Sequence, residues 1–401
     1  MKLNYPPANF YFAIAIAFLL PFKLLLSPII ACWLIYHLVN FKQINLKLKR
    51  KNLSLILPIL FFVAHLFANF FSTNSKEALF SIEVKLSFLF LPFLFALSNF
   101  NNETKNKLLF TFVGANILAL VICTINSILH WVNHSNFLTY NEFCLFMHPS
   151  YFSMYLAFSV FILLLKFKEL TSLLNSKVII YTTIVFLILG IYFSASKMGI
   201  LTFFMLIPLI ILIQLFKRKQ FKSILFVVII FTTSALFFLF SDSIPAARMR
   251  NVVSVLTTSN EIDKTTSESN AVRLLIWKEG LELIKQKPIL GYTPGDANDV
   301  LYQAYEKQGL TGAFEKKLNA HNQFLQTTIG LGFIGFILLV GMIFYSIWFG
   351  IKSKNELQLF FGLLITMNFL VESMLQTSAG TLFFVFFYSL LNSTESKTEL
   401  A

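Results

Sequence analysis

Long apolar runs separated by short polar breaks recur along nearly all of this 401-residue chain. Twelve of them reach or approach membrane-spanning length, near 9–22, 24–41, 53–71, 79–98, 108–130, 149–165, 178–194, 199–216, 223–240, 323–349, 357–373 and 379–392. A bilayer offers backbone groups no hydrogen-bond partner, so each such run is expected to close its own bonds as a helix. The first two runs predict a tight hairpin around Pro21 and Lys23. The pattern as a whole predicts an all-α integral membrane protein of about twelve transmembrane helices.

The exception is the stretch 241–322, which divides the chain into an N-terminal bundle (1–240), a polar loop (241–322) and a C-terminal bundle with its tail (323–401). The loop opens on "SDSIPAARMRNVVS" and continues through the polar "TTSNEIDKTTSESN" (257–270). A helical period then sets in over 271–287, where Leu274, Trp277, Leu281 and Ile284 form an apolar stripe beside Lys278, Glu282 and Lys285. Pro288 and Gly291 stop that helix. A second short helix is expected over 296–308, with Asp296 as its cap. An amphipathic helix beside a membrane lies along the interface or covers a cavity.

Composition strengthens this reading: 57% of residues are hydrophobic, 13% are charged, and 49 phenylalanines exceed what a soluble core would use. The net charge of +13 does not imply nucleic acid, because no basic face alternates with exposed aromatics. It reports orientation instead. Eighteen of the 32 Lys and Arg residues fall in the loops and tails that share one side with the N-terminus, notably "KQINLKLKRKN" (42–52) and "KRKQFK" (217–222). Four (Lys23, Lys76, Lys85 and Lys197) lie on or near the other side, and ten lie in the long loop. Positive loops stay inside, so both termini are expected to be cytoplasmic and the long loop to face outward. Cys32, Cys123 and Cys144 have neither disulfide-framework nor zinc-site spacing. The first apolar run lacks a small-residue cleavage site and reads as a retained span.

Within 320–340, "AHNQFLQTTIGLGFIGFILLV", Gly330, Gly332 and Gly335 spell G-x-G-x-x-G. A dinucleotide fingerprint needs a strand before it and a helix after it, whereas these glycines sit inside an apolar run. Close packing through small residues is the better account. His321, just before the run, is a capping or interfacial histidine or a general base, since its unperturbed pKa lies nearest neutrality. Asn322 caps the helix or holds a substrate hydroxyl. Cations gather at the outer side: Lys197 in "SASKMGIL" between Ser194 and Ser196, and Arg248, Arg250 and Arg273 in the loop. Lys85 sits within a span, where it snorkels, pairs with Glu83 or serves a function. Together these cations suit an anionic headgroup or diphosphate. His148 and Glu372 stand at other outer span ends; His65 and His130 read as apolar-face or interfacial histidines. No HExxH, paired-cysteine motif or P-loop points to a metal or a nucleoside triphosphate.

Three blocks resemble the O-antigen ligase and polymerase family of bacterial membrane glycosyltransferases. "SASKMGIL" is similar to its S-x-S-R-x-x-x-L. "RLLIWKEGLELIKQKPILGYTPGD" (273–296) is similar to its R-x-x-x-W helix followed by P-x-x-G-x-G-x-G. "AHNQFLQTTIGLGFIG" is similar to its A-H-N-x-x-L block ending in spaced glycines. The resemblance implies a C-type glycosyltransferase-like bundle in the bacterial inner membrane with one large periplasmic loop. It implies transfer of a glycan from undecaprenyl diphosphate to a hydroxyl, without metal or cofactor. The acceptor is lipid A core for a ligase and another lipid-linked repeat unit for a polymerase. His321 matches the histidine that activates the acceptor hydroxyl, and Arg273 the arginine that holds the diphosphate. Lys85, Lys197, Arg248 and Arg250 are expected to assist with the donor diphosphate, and Asn322, Glu372 and His148 with the acceptor or in support. Lys197 stands where the family has arginine, keeping the charge and losing the bidentate fork. Gly291 and Gly295 match two loop glycines, with Tyr292 and Thr293 in place of smaller residues. A protein O-oligosaccharyltransferase is a more distant alternative. So is a secondary transporter, although no internal repeat is visible.

Overall fold

The computed structural model describes residues 8–40, 54–98, 100–257, 264–265 and 270–393, and among these every regular element is helical. In chain order they are α1 (Ala8–Leu19), α2 (Leu26–Val39), α3 (Ile56–Asn69), α4 (Ser75–Ser98), α5 (Asn102–His134) and α6 (Pro149–Leu165). Then come α7 (Phe167–Leu174), α8 (Lys177–Phe193), α9 (Lys197–Lys217), α10 (Phe221–Phe240), α11 (Ile244–Thr257) and α12 (Asn270–Gln286). The last five are α13 (Ala297–Gln308), α14 (Thr311–Glu315), α15 (Gln323–Lys352), α16 (Glu356–Val371) and α17 (Ser378–Asn392). The basic block 42–52, both chain ends and most of the polar stretch 257–270 lie outside the described residues.

Each of the twelve apolar runs contains a helix, but the helices differ in length. Five (α4, α5, α9, α10 and α15) are long and apolar enough to cross a membrane. α6 and α7, bent by 80° at their junction, count as a sixth if taken as one span. The remaining six apolar helices have 10–17 residues. At 1.5 Å per residue, 14 residues cover about 21 Å of a hydrocarbon core about 30 Å thick. Hydropathy measures the apolar run, and the regular helix within it is shorter. The α1–α2 connection shows why: Leu20–Phe22 tightens into a 3₁₀ turn, and Lys23 and Leu25 take left-handed backbone.

Helices apolar on every side belong in the interior. α17 is buried along its whole length from Ala379 to Leu390, and α6 from Phe152 to Leu163. Their aromatic rings interlock: Phe112, Phe158, Phe383 and Phe387 meet at centroid separations of 4.7–6.1 Å. The OH of Tyr155 donates to the Ala379 carbonyl at 2.8 Å, tying α6 to α17. α10 buries no residue at all and rides on the periphery against α9.

A second, smaller core belongs to the 241–322 segment and the start of α15. Val272, Ile276 and Leu283 of α12 pack with Leu301 and Tyr305 of α13 and with Ile329 of α15. The buried face of α12 therefore differs from the expected stripe: Leu274 and Leu281 are exposed, while Trp277 and Ile284 lie at its edge. Gly280 completes the buried face, and its small side shows no hydropathy for a stripe to register. α13 starts at Ala297, but Asp296 makes no side-chain bond to it. The carboxylate instead accepts from Ser72 Oγ at 2.7 Å, Asn74 N at 2.8 Å and Thr73 N at 3.0 Å, at the turn that opens α4. Burial works against its charge, and these bonds outweigh burial and hold its pKa below the usual carboxylate value. The cap expected for α13 thus bonds to the turn before α4 and docks the 241–322 segment on the bundle.

The glycine run corrects another expectation. Gly332 interrupts α15 with φ 60° and ψ −160°, and its neighbour in space is a loop, not a helix. The Tyr292 N–H donates to the Ile329 carbonyl and the Phe333 N–H to the Pro288 carbonyl, both at 2.8 Å. A side chain at Gly332 would collide with the Ile289 carbonyl, and Gly291 (φ 70°) is as tightly enclosed by the backbone of 329–332. The glycines admit the 288–295 loop into a break in the helix.

Candidate functional site

His321 precedes the first turn of α15 in left-handed backbone (φ 45°), a strained setting for a residue with a side chain. Its neighbours hold it there. Ala320 N–H donates to Gln326 Oε1 at 2.9 Å, and the Ala320 carbonyl accepts from Trp277 Nε1 at 3.0 Å. His321 N–H donates to Asn319 Oδ1 at 2.9 Å. Asn322 caps α15 by accepting from Leu325 N at 3.1 Å, and donates to the Leu370 carbonyl at 3.1 Å. The tryptophan of the α12 helix therefore fixes the segment that carries the histidine.

The imidazole faces a cavity of about 570 Å³. Glu372, in the turn after α16, places Oε2 3.5 Å from His321 Nδ1, an ion-pair distance longer than a formed hydrogen bond. Its Oε1 lies 3.4 Å from Arg273 Nη2 and accepts from Ser150 Oγ at 3.3 Å. Arg273 also donates to the Val371 carbonyl at 2.9 Å. Burial pushes the Glu372 carboxyl up, but His321, Arg273 and His148 outweigh it and hold the pKa at about 2. The group is a fixed carboxylate that orients both an imidazole and a guanidinium.

The other wall carries more cations. Arg248 donates from Nε to the Ala195 carbonyl at 3.1 Å and lies 3.7 Å from the centroid of the Tyr140 ring. It thereby braces the 194–196 turn that presents Lys197 to the cavity. Ser194 and Ser196 are buried and bond to backbone, Ser196 as the cap of α9. His148, the cap of α6, accepts from Ser150 N through Nδ1 at 3.3 Å, which leaves Nε2 for the proton in the neutral ring. Desolvation in the cavity lowers its pKa; Glu372 opposes this, and His321, Arg273 and Arg248 add to it.

The helix ends make the cavity unusual. Among the described residues, α6, α9, α12, α15 and α17 all contribute lining residues from within or just before their first turn. Each N-terminus carries roughly half a positive charge; His148, Ser196, Asn322 and Thr377 each cap one N–H and leave others of the first turn, so a site bordered by these ends suits an anion.

Six of the nine residues singled out from sequence therefore line one cavity: His148, Lys197, Arg248, Arg273, His321 and Glu372. Three do not. Lys85 is buried in α4 near His65, and among the described residues no ion pair joins it to Glu83, which points to the exposed side. Arg250 donates to the Leu239 and Ser241 carbonyls and so closes the end of α10. Asn322 spends its amide on the cap and the Leu370 carbonyl. Tyr140, Asn141, Tyr151 and Thr377 also line the cavity and carry no sequence signal, since they come from separate span ends. Among the described residues no three His, Cys, Asp or Glu side chains come together as metal ligands.

No curated protein is similar enough to match the chain. Residues 182–340, which contain Lys197, Arg248, Arg273 and His321, match the family model described as O-antigen ligase.

Proposed function

We propose that this protein is an O-antigen ligase-type glycosyltransferase of the bacterial inner membrane. It moves a glycan from undecaprenyl diphosphate to a hydroxyl of lipid A core at the periplasmic face. In this reading the twelve apolar runs all span, both termini are cytoplasmic and 241–322 is periplasmic. The observation that carries it is the convergence of His321, Glu372 and three cations with five helix N-termini on one cavity.

The acceptor hydroxyl gives its proton to His321 Nε2 as its oxygen attacks the anomeric carbon. The bond from that carbon to the diphosphate oxygen breaks in the same displacement, which inverts the centre. Undecaprenyl diphosphate leaves with the bonding electron pair. Arg273, Arg248 and Lys197 meet the charge that develops on it, and the helix ends add fixed dipoles that need no reorganisation. Glu372 keeps the imidazole aimed and stabilises the imidazolium, as the third member of a hydrolase triad does. Asn322 and Arg250 act at a distance, by holding backbone.

The test is purified protein in lipid supplied with polyprenyl-diphosphate glycan and lipid A core, with products read by mass spectrometry. Glycan joined to the core is the expected product, and His321→Ala sharply reduces it. Longer lipid-linked glycan with bare core would make the protein a polymerase. Absence of both products from several donors would remove the transferase reading.

A further inference from the structure

A second cavity of about 950 Å³ shares no lining residue with the first. One wall is formed by Leu60, Ala64 and Phe67 of α3 with Phe71 just past its end; the other is the part of α15 from Leu331 to Leu338. From Leu60 to its end at Asn69, α3 covers about 14 Å, close to the depth of one leaflet of a bilayer's hydrocarbon core. The 288–295 loop closes one end. Its backbone bonds to Ile329 and Phe333 fix that end, so the groove is a built feature and not a gap between loosely packed side chains.

Charge sets the polarity of the groove. Lys287 stands at the closed end, its ammonium 4.6 Å over the Tyr292 ring. The one carboxylate there, Asp296, is turned to the α4 turn and taken up by hydrogen bonds. An apolar slot of one leaflet's depth with a single cation at its outer end fits a fatty acyl chain attached to a phosphorylated headgroup.

We infer that this groove seats an acyl chain of the lipid-linked acceptor, with the acceptor's phosphate at Lys287; the inference rests on the glycosyltransferase reading above. The first cavity, with three cations and five helix ends, suits a diphosphate, and its own apolar residues Met198, Leu201 and Met249 give the donor's chain a way out. A second lipid substrate needs a second entrance. From Asn322 to Leu331 the first half of α15 covers about 15 Å, a length that a headgroup of a few sugars bridges to reach His321.

Ala64→Trp fills the groove, and Lys287→Glu reverses the charge of an exposed side chain, giving up only its contact with the Tyr292 ring. In nanodiscs of dioleoylphosphatidylcholine, both variants should raise the KM for acylated lipid A core, Ala64→Trp by about ten-fold or more. The KM for the lipid-linked donor and the rate on deacylated core oligosaccharide should not change. An unchanged KM for the acylated acceptor, equal damage with the deacylated one, or equal competition by dioleoylphosphatidylglycerol would each overturn the inference. If wild type transfers to neither acceptor, the glycosyltransferase reading fails, and native mass spectrometry with lipid A alone decides the groove. Retention by wild type and loss in Ala64→Trp and Lys287→Glu supports it; equal retention overturns it.

Discussion

The two halves of α15 lie in one apolar run and do opposite work. Before Gly332 the helix buries Gln323, Gln326, Thr327 and Thr328, each in a side-chain hydrogen bond, and begins at the histidine of a polar, cation-ringed cavity. After Gly332 it presents Ile334, Ile337 and Leu338 to an apolar groove. Ile329 joins the small core around α12 and α13, whereas Leu331 and Leu339 join the core of the bundle. The change of environment falls at Leu331 and Gly332, where a backbone conformation closed to other amino acids breaks the helix. Hydropathy averages over the break; backbone geometry makes it.

The sharpest way to test the division is to disable one half alone. His321→Ala should reduce transfer by about 10²–10⁴-fold, the range of a lost general base, with no change in thermal stability in detergent. A stability loss of the same rank would return the histidine to a structural part. Gly332→Ala should damage both halves. It places a side chain against the Ile289 carbonyl and forces a rare backbone conformation, at about 3 kcal/mol. Its melting temperature should fall, and transfer to soluble and acylated acceptors should fall together. A variant that melts like wild type would show that the break is not required.

Glu372 gives a pH-dependent comparison confined to the polar half. Its folded carboxylate titrates near 2, below the ordinary 4.5. The stability it contributes is therefore complete above pH 4.5 and is lost as pH falls toward 2. Wild type should lose melting temperature through that window, and Glu372→Gln should lack this component while being less stable at neutral pH. Parallel curves would mean that the carboxylate contributes nothing. The smallest effect belongs to Trp277→Phe, which keeps the ring and loses the bond to the Ala320 carbonyl. About 1 kcal/mol of stability and a modest loss of transfer are expected. A loss as deep as that of His321→Ala would make Trp277 part of the chemistry.

The sequence made the class of the protein plain, because burial in lipid demands long apolar runs and such runs are legible one by one. All twelve runs hold helices. Local signals also named the cavity's main groups, since ionisable residues at span ends are rare enough to stand out. Several readings failed where the partner lies far along the chain. The α12 stripe was misplaced because Gly280 carries no hydropathy and because the face chosen depends on α13 and α15. Asp296 looked like the cap of the helix it precedes, yet an acid serves whichever N–H groups reach it, and those came from 72–74. The glycines signalled close approach correctly, while the element approaching them was a loop.

Chain order fixed which residues were apolar, where the charges fell and which helices could form, because those properties belong to each segment by itself. Tertiary structure alone decided that five helix N-termini meet at one cavity and that Glu372 lies between His321 and Arg273. It also decided that Lys85, Arg250 and Asn322 lie outside the lining of that cavity. The reason is physical: the field at the cavity is a sum over groups brought together from 140 to 377, and such a sum exists only once the helices have packed.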